Sequence, residues 1–316
     1  MIRKALFTFV CLALLAACAP SATPAPAPSA TPLPPDPSIV LSDGLGRSVS
    51  LPGPAASVVS LAPSNTEILF AVGAGAQVVG RDLFSDYPAE ALAVQDIGGS
   101  MGEYDLEAIV ALQPDLVLAQ AGGFNSPELI AALEGLGLTV YALPNPSTLE
   151  EMYANLETVG TLTGHVQEAT DLVAALQARL AAVDAAIAPL SARPSVYYEL
   201  DASNPAAPYT AGSGSFVDQL IARAGGFNIG SQLESQWAAI SVEQLLVADP
   251  MIILLGDAAY GETPEKVAAR PGWETLAAVQ SGRVYAFDDN LVSRPGPRLV
   301  DGLEALVRLL HPGLLP

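Results

Sequence analysis

One pattern in this chain is written twice, and it constrains the fold more than any other feature. "DLEAIVALQPDLVLAQAG" (Asp105 to Gly122) and "SVEQLLVADPMIILLGDA" (Ser241 to Ala258) both run cap residue, apolar residue, Glu, a short helical pattern, then Pro and a nearly unbroken apolar run. Asp and Ser accept hydrogen bonds from the free N–H groups of a first helical turn, so each copy reads as a capped helix feeding a buried strand. Two further echoes keep the same order. "SNTEILFAVGAGAQVVG" (Ser64 to Gly80) aligns with "GSFVDQLIARAGGFNIG" (Gly214 to Gly230), setting Gly75 against Gly225 and Gly80 against Gly230. "GLGLTVYALPN" and "VQSGRVYAFDDN" share a Gly and then Val-Tyr-Ala from Val140 and Val284. Three matched units in one order argue for two related α/β lobes. Ser64, with Glu67 three residues on, reads as a capping box.

Within each lobe helical patterns alternate with short apolar runs, the signature of a parallel sheet covered by helices. Between the lobes, Leu149 to Ile187 is helical in pattern and breaks near Gly164. Val166 to Ile187 holds neither Gly nor Pro, and at about 1.5 Å per residue it reaches over roughly 30 Å. A helix of that length is a strut that fixes the separation of the lobes and limits their closure. The expected fold is therefore α/β: two related Rossmann-like lobes with parallel sheets, joined by one long α-helix. The ligand cleft is expected between them, at the carboxyl ends of the strands. The expected boundaries are 39–146 for the N-terminal lobe, 147–188 for the connecting helical backbone and 189–316 for the C-terminal lobe.

The amino terminus, "MIRKALFTFVCLALLAACAP", reads as an export signal, with Arg3 and Lys4 before an apolar core from Ala5 to Leu14. That core is shorter than the ~20 residues a bilayer span needs. Leu15-Ala16-Ala17-Cys18 resembles a bacterial lipobox, which implies that residues 1–17 are removed and Cys18 is lipidated. Cys11 would leave with the signal, so no disulfide framework is expected. Residues 18–38 are rich in Ala, Pro, Ser and Thr and read as a semi-rigid tether. A lipid and a tether hold a soluble body on the extracytoplasmic side of the cell membrane without inserting it. The formal net charge of −20 argues against nucleic acid, since no basic patch is present to neutralise phosphates.

Further motifs carry a family likeness. "SLAPSNTEILFAVGAG", "SDYP", "LEAIVALQPDLVLA", "YTAGSGSFVDQLIARAGGFNI" and "GRVYAFDDNLVSRPGPR" together resemble the helical-backbone substrate-binding lipoproteins of ABC importers. The resembled group serves cobalamin, ferric siderophores and haem, and these motifs are nearest to its cobalamin-binding members. The resemblance implies a monomeric receptor without cofactor or catalysis. It would capture a corrinoid and deliver it to a membrane permease and its ATPase; a hydroxamate-type ferric siderophore or haem is the alternative ligand. It also implies a role for Glu107 and Glu243, which match positions where cobalamin-binding members form salt bridges with permease arginines. From the residues alone, both Glu fall second in a helix. Leu106, Ile109 and Val110, like Val242, Leu245 and Leu246, form the apolar stripe, so the carboxylates point outward. A first-turn Glu also complements the helix macrodipole with no partner at all, and both readings stand at this point.

Ligand contacts are expected after strands and in turns: Tyr87 in "FSDYP", Met101 in "GGSMGEYD", Gln120, Tyr209 and Phe216 around "YTAGSGSF", Trp237 in "SQWAAIS", Tyr260 and Arg294. Aromatic faces at such points suit a large planar ligand. The resemblance sets Tyr87 and Trp237 at corrin-contacting positions. It sets Met101 and Gln120 where relatives carry other cleft tryptophans, so the pocket is not a copy. Arg81, Arg294 and Arg298 are the cleft's basic candidates, a poor supply for a catecholate complex bearing several negative charges. A corrinoid rimmed by amides asks for stacking and hydrogen bonds instead. Arg294 reads either as a contact for a ligand phosphate or carboxylate, or as the partner of Asp288 or Asp289. Trp273 reads as packing at a helix start, and His165 and His311 as surface, which leaves Tyr104 or Tyr260 to ligate a haem iron. An enzyme is disfavoured because no nucleophile–base or paired-carboxylate arrangement emerges. A direct manganese or zinc receptor is disfavoured because His is scarce.

Overall fold

The computed structural model describes residues 38–100 and 102–315. The export signal, Cys11, Cys18, all but the end of the tether, and Met101 lie outside the described residues.

In the first lobe five strands run parallel, in the order Gln95–Asp96, Val78–Arg81, Val58–Ser60, Leu116–Gln120, Val140–Leu143. The chain starts in the middle and grows outward both ways. Its order reverses beside Val58–Ser60, and such a reversal opens a crevice at the carboxyl ends of the strands. The second lobe repeats the plan. Ser195–Asp201 is central, Phe227–Asn228 lies on one side, and Ile252–Leu255 then Val284–Ala286 lie on the other, all parallel. The sequence echoes thus fill equivalent places in the two sheets. The second sheet gains an antiparallel ribbon: Tyr209–Ala211 pairs with Ser195–Asp201, and Trp237–Ala239 pairs with Tyr209–Ala211. The loop 202–208 is too short for a crossover, which takes a dozen or more residues, so the chain turns back on itself.

Each strand presents alternate residues to opposite faces, and this splits the interior into three layers. Leu116 and Leu118, with Ile252 and Leu254, face inward into one core shared by both lobes. Val117 and Ala119 face an outer core of the first lobe, and Ile253 and Leu255 an outer core of the second. The shared core also takes Met152, Leu156 and Val159 of the helix Leu149–Thr163, and Val173, Leu176 and Leu180 of the 22-residue helix Val166–Ile187. Gly164, left-handed at φ 81°, ends the first of these and lets the chain restart.

Polar ties fix this helical pair to both lobes. Ala55 N–H donates to Leu162 O at 2.8 Å, and Asn155 Nδ2 donates to Pro144 O at 2.8 Å. On the other side Arg179 pairs with Asp301 at 2.6 Å and Glu304 at 2.9 Å, and Arg223 with Asp184 at 2.7 Å.

A shared inner core predicts that neither lobe melts alone. Leu176→Ala, at a buried site on the long helix, is expected to cost about 2–5 kcal/mol. Calorimetry should show one endotherm moving as a whole; two separable transitions in the variant would overturn the coupling.

Candidate functional site

The helix Pro63–Ala71 begins directly after the central strand of the first lobe, with Pro63 at its first position and Ala62 as a cap that offers no side-chain bond. The capping box read at Ser64 and Glu67 does not form, because the helix starts two residues too early, at Pro63 with Ala62 as its cap. Glu67 is instead buried at the junction with the second lobe, its side chain 1% exposed. Arg298 donates to it from Nε at 2.8 Å and from Nη2 at 2.5 Å, and Arg294 Nη1 donates at 3.2 Å. Arg294 Nη1 also meets Asp86 at 2.6 Å, and its Nη2 donates to Phe84 O at 3.3 Å. Neither of the partners expected for Arg294 is used: Asp289 accepts from the Tyr198 hydroxyl at 2.8 Å, and Asp288 caps Asn290 N–H at 3.1 Å. The segment 288–296, with its short helix Asn290–Ser293, directs Arg294 across to the first lobe. Burial alone would raise the Asp86 carboxyl, yet the hydrogen bond and charge of Arg294 hold it below the usual range. Burial pushes Asp82, beneath the same loop, up.

Beside this ionic floor lies a cavity of about 190 Å³ between the lobes. Phe216, Trp237, Ser293 and Pro295 line it from the second lobe, Asn145 from the first and Ser147 from the start of the connecting backbone. Phe216 opens the helix Phe216–Arg223, which Ser215 caps by accepting from Asp218 N–H. Trp237 lies on the outer strand of the ribbon, 46% exposed. Gln120 reaches the same place indirectly, donating from Nε2 to Asn145 Oδ1 at 3.0 Å. The structure therefore gathers Phe216, Trp237, Gln120 and the neighbours of Arg294.

The other candidates lie elsewhere. Tyr87 packs under Arg298, whose Cζ sits 4.0 Å from the ring centre. Both line a separate groove of about 600 Å³ with Phe70, Leu172 and Leu176. Tyr209 is half exposed at the start of the ribbon. Tyr260 ends the turn Gly256–Tyr260, not the preceding strand, and is 90% exposed on a third cavity of about 360 Å³ with Asp201, Asp257 and Glu262. Three exposed aromatics were missed in the sequence, Phe84, Phe124 and Phe227. The first two follow strands of the first lobe, which was the available signal, and Phe227 opens a short strand of the second.

Tyr104 is a poor iron ligand in this arrangement. Its hydroxyl donates to Leu61 O at 2.7 Å and accepts from Asn125 Nδ2 at 2.8 Å, and burial pushes its pKa up to about 12. His165 and His311 are half-buried, not surface residues. His165 lies against Gly73, and His311 Nε2 is buried beside Gly225 without a hydrogen-bond partner among the described residues. Trp273 is 1% exposed, edge-on to Tyr197 and under Arg270. No group of His, Cys, Asp and Glu able to hold a metal ion occurs among the described residues, and no helix there is long and apolar enough to cross a membrane.

Glu107 and Glu243 occupy matching places. Asp105 and Ser241 cap their helices, and each Glu is the second helical residue and exposed. Ile109 and Leu245 anchor the helices inward, whereas Val110 is exposed.

A family model described as periplasmic binding protein matches residues 58–291. The vitamin B12-binding protein of Vibrio cholerae is 30% identical over 260 residues, 82% of this chain and 90% of the relative. An ABC transporter substrate-binding lipoprotein of Bacillus subtilis is 29% identical over 275 residues, 87% of this chain and 86% of the relative. Among solved structures, the periplasmic vitamin B12-binding protein of Vibrio cholerae superposes with a TM-score of 0.68 at 29% identity, covering 81% of this chain and 97% of that one. The periplasmic haem-binding protein of Roseiflexus superposes at 0.73 and 27% identity, covering 82% and 99%.

Asp257 provides a pH test of the second lobe's carboxyl ends. Its Oδ2 accepts from Ala202 N–H at 3.1 Å while Oδ1 is buried without a partner among the described residues. Burial, and then the charge of Glu199, push its pKa up to about 6. The folded chain therefore holds this proton more tightly than the unfolded one. The group stabilises fully below its unfolded pKa, and that stability is lost as pH rises through the folded value. Asp257→Asn is expected to melt about 2–4 °C higher than the parent near pH 7.5, worth roughly 1 kcal/mol, with the difference gone near pH 4. Equal melting temperatures at both pH values would contradict this.

Proposed function

The chain belongs to the periplasmic binding protein family, and from that premise we propose that it is the extracytoplasmic, lipid-anchored receptor of an ABC importer, capturing a corrinoid between its lobes. The observation that carries the ligand is the character of the cleft. Phe216 and Trp237 face a recess lined by the amide of Asn145 and the hydroxyls of Ser147 and Ser293. The adjoining ionic floor is internally balanced, two carboxylates against two guanidinia. A recess of about 190 Å³ is too small to enclose a macrocycle. Such a ligand would lie in the open mouth, its ring on Trp237 and its amide side chains reaching the polar groups below. Similarity to vitamin B12-binding relatives supports the same choice. Haem is the second reading, favoured by the likeness to haem-binding structures. With the Tyr104 hydroxyl engaged, its iron would fall to the exposed Tyr260, on the separate cavity beside Asp201 and Glu262 and not in the recess of Phe216 and Trp237.

In this proposal the signal is removed before Cys18 and the body comprises the lobes 39–146 and 189–316 with the backbone 147–188 between them. Glu107 and Glu243 dock it on a permease, one carboxylate per lobe. Equivalent placement on two related lobes suits a partner with two-fold symmetry.

Titration of residues 39–316 with cyanocobalamin, haem and a neutral ferric hydroxamate is expected to give tight binding for the corrinoid alone. Trp237→Ala should weaken it by at least about tenfold, the scale of one lost aromatic stack. Haem binding in its place, with a tyrosinate absorption band lost in Tyr260→Phe, would move the assignment to the second reading.

Docking makes a separate expectation. In membranes carrying the permease and ATPase, Glu107→Gln with Glu243→Gln should abolish stimulation of ATP hydrolysis while corrinoid affinity stays within about twofold, since both carboxylates lie outside the cleft. Stimulation preserved in the double variant would reduce both residues to helix-dipole partners.

A further inference from the structure

The ionic floor carries a consequence for selectivity. Arg294 is flanked by Ser293 and Pro295, which line the cleft cavity. Its side chain is 14% exposed and Arg298's is 11%. Arg298 lies further off, on the separate groove with Glu67 and Tyr87, so an anionic ligand entering from the mouth would meet Arg294 first. Three of the five N–H groups of Arg294 are already taken, one by Glu67, one by Asp86 at 2.6 Å and one by Phe84 O, and Arg298 gives two more to Glu67. The other basic side chains near the lobe junction are committed as well: Arg81 to Ala91 O, Asp82 O and Asp96, and Arg179 to Asp301 and Glu304.

We propose that Asp86 is a specificity-determining residue, a built-in counter-anion that together with Glu67 occupies Arg294 beside the cleft and so excludes anionic ligands from it. The inference rests on the reading of the cleft as the ligand site. An incoming trianion has to displace a carboxylate that is already optimally placed. Glu67 is buried and cannot leave without stranding its charge. Asp86, 56% exposed, can swing into water, but its own charge then stays in the mouth and repels the ligand. A neutral ligand leaves the floor undisturbed. Both carboxylates come from the first lobe and both guanidinia from the second, so the device exists only where the lobes meet.

The test compares two iron complexes of similar bulk, a trianionic ferric tris-catecholate and a neutral ferric tris-hydroxamate, on the soluble body. Binding is followed by quenching of Trp237 fluorescence. Asp86→Asn is the main variant, because its side chain is largely solvated. Glu67→Gln is the second, checked for folding by its melting transition. The parent is expected to bind the hydroxamate more weakly than cyanocobalamin, and the catecholate at least about tenfold more weakly again than the hydroxamate. Asp86→Asn should raise catecholate affinity at least about tenfold while hydroxamate affinity moves less than about threefold. The gain should shrink as salt is added. A catecholate affinity unchanged in Asp86→Asn, or a parent that already binds the trianion as well as the neutral complex, overturns the proposal. A parent that binds none of the three probes, beside an Asp86→Asn that binds the catecholate, would sink the corrinoid reading and keep the exclusion device. If neither protein binds any probe, the cleft is not the site and both fall.

Discussion

A carboxylate taken out of water must be neutralised where it sits, and at the junction of the lobes that carboxylate is Glu67. Its neutralising groups come from across the cleft, so the first lobe cannot satisfy its own buried charge. Much else at the junction follows from this. Arg298 is pulled over Tyr87, whose ring becomes a wall of the groove at the junction. Arg294 is turned away from Asp288 and Asp289, and Asp289 is left to hold the hydroxyl of Tyr198. The loop carrying Phe84 and Asp86 is fixed by a side chain of the other lobe.

The ionic junction works beside an apolar one. The inner faces of both sheets and the two connecting helices share a single core, so a hinge movement has to slide packed side chains past one another as well as part ion pairs. Native interiors are close-packed and resist such sliding. The strut inferred from an uninterrupted helical pattern is thus reinforced on both flanks, by backbone and amide bonds to the first lobe and guanidinium pairs to the second.

Most of this fold was legible because its signals are local. Helix caps at Asp105 and Ser241, the break at Gly164, and the apolar run Leu116 to Ala119 each reside within a few residues. Their duplication supplied the two-lobe plan. The ribbon Tyr209–Ala211 with Trp237–Ala239 was not read, since antiparallel pairing is dictated by the length of the loop before it. The site was less legible. Glu67 carries the pattern of a capping box, and only a partner 231 residues away distinguishes a buried ion from a helix cap. Tyr104 looked free to bind iron because Asn125 and Leu61, which occupy its hydroxyl, come from other loops. Gathering Phe216, Trp237 and Asn145 at one recess likewise needed the two lobes in place.

The last helix, Leu299–Leu310, closes the shared core with Leu303, Leu306 and Leu310 and brings Asp301 and Glu304 to Arg179. A chain emerging amino terminus first therefore exposes the inner faces of both sheets until its final segment arrives. Contacts this distant along the chain form late and slowly, and apolar faces left open meanwhile invite aggregation. The high density of negative charge, −20 over the chain, keeps such half-built molecules apart by mutual repulsion. Its acidity is then as much a property of the folding intermediate as of the finished receptor.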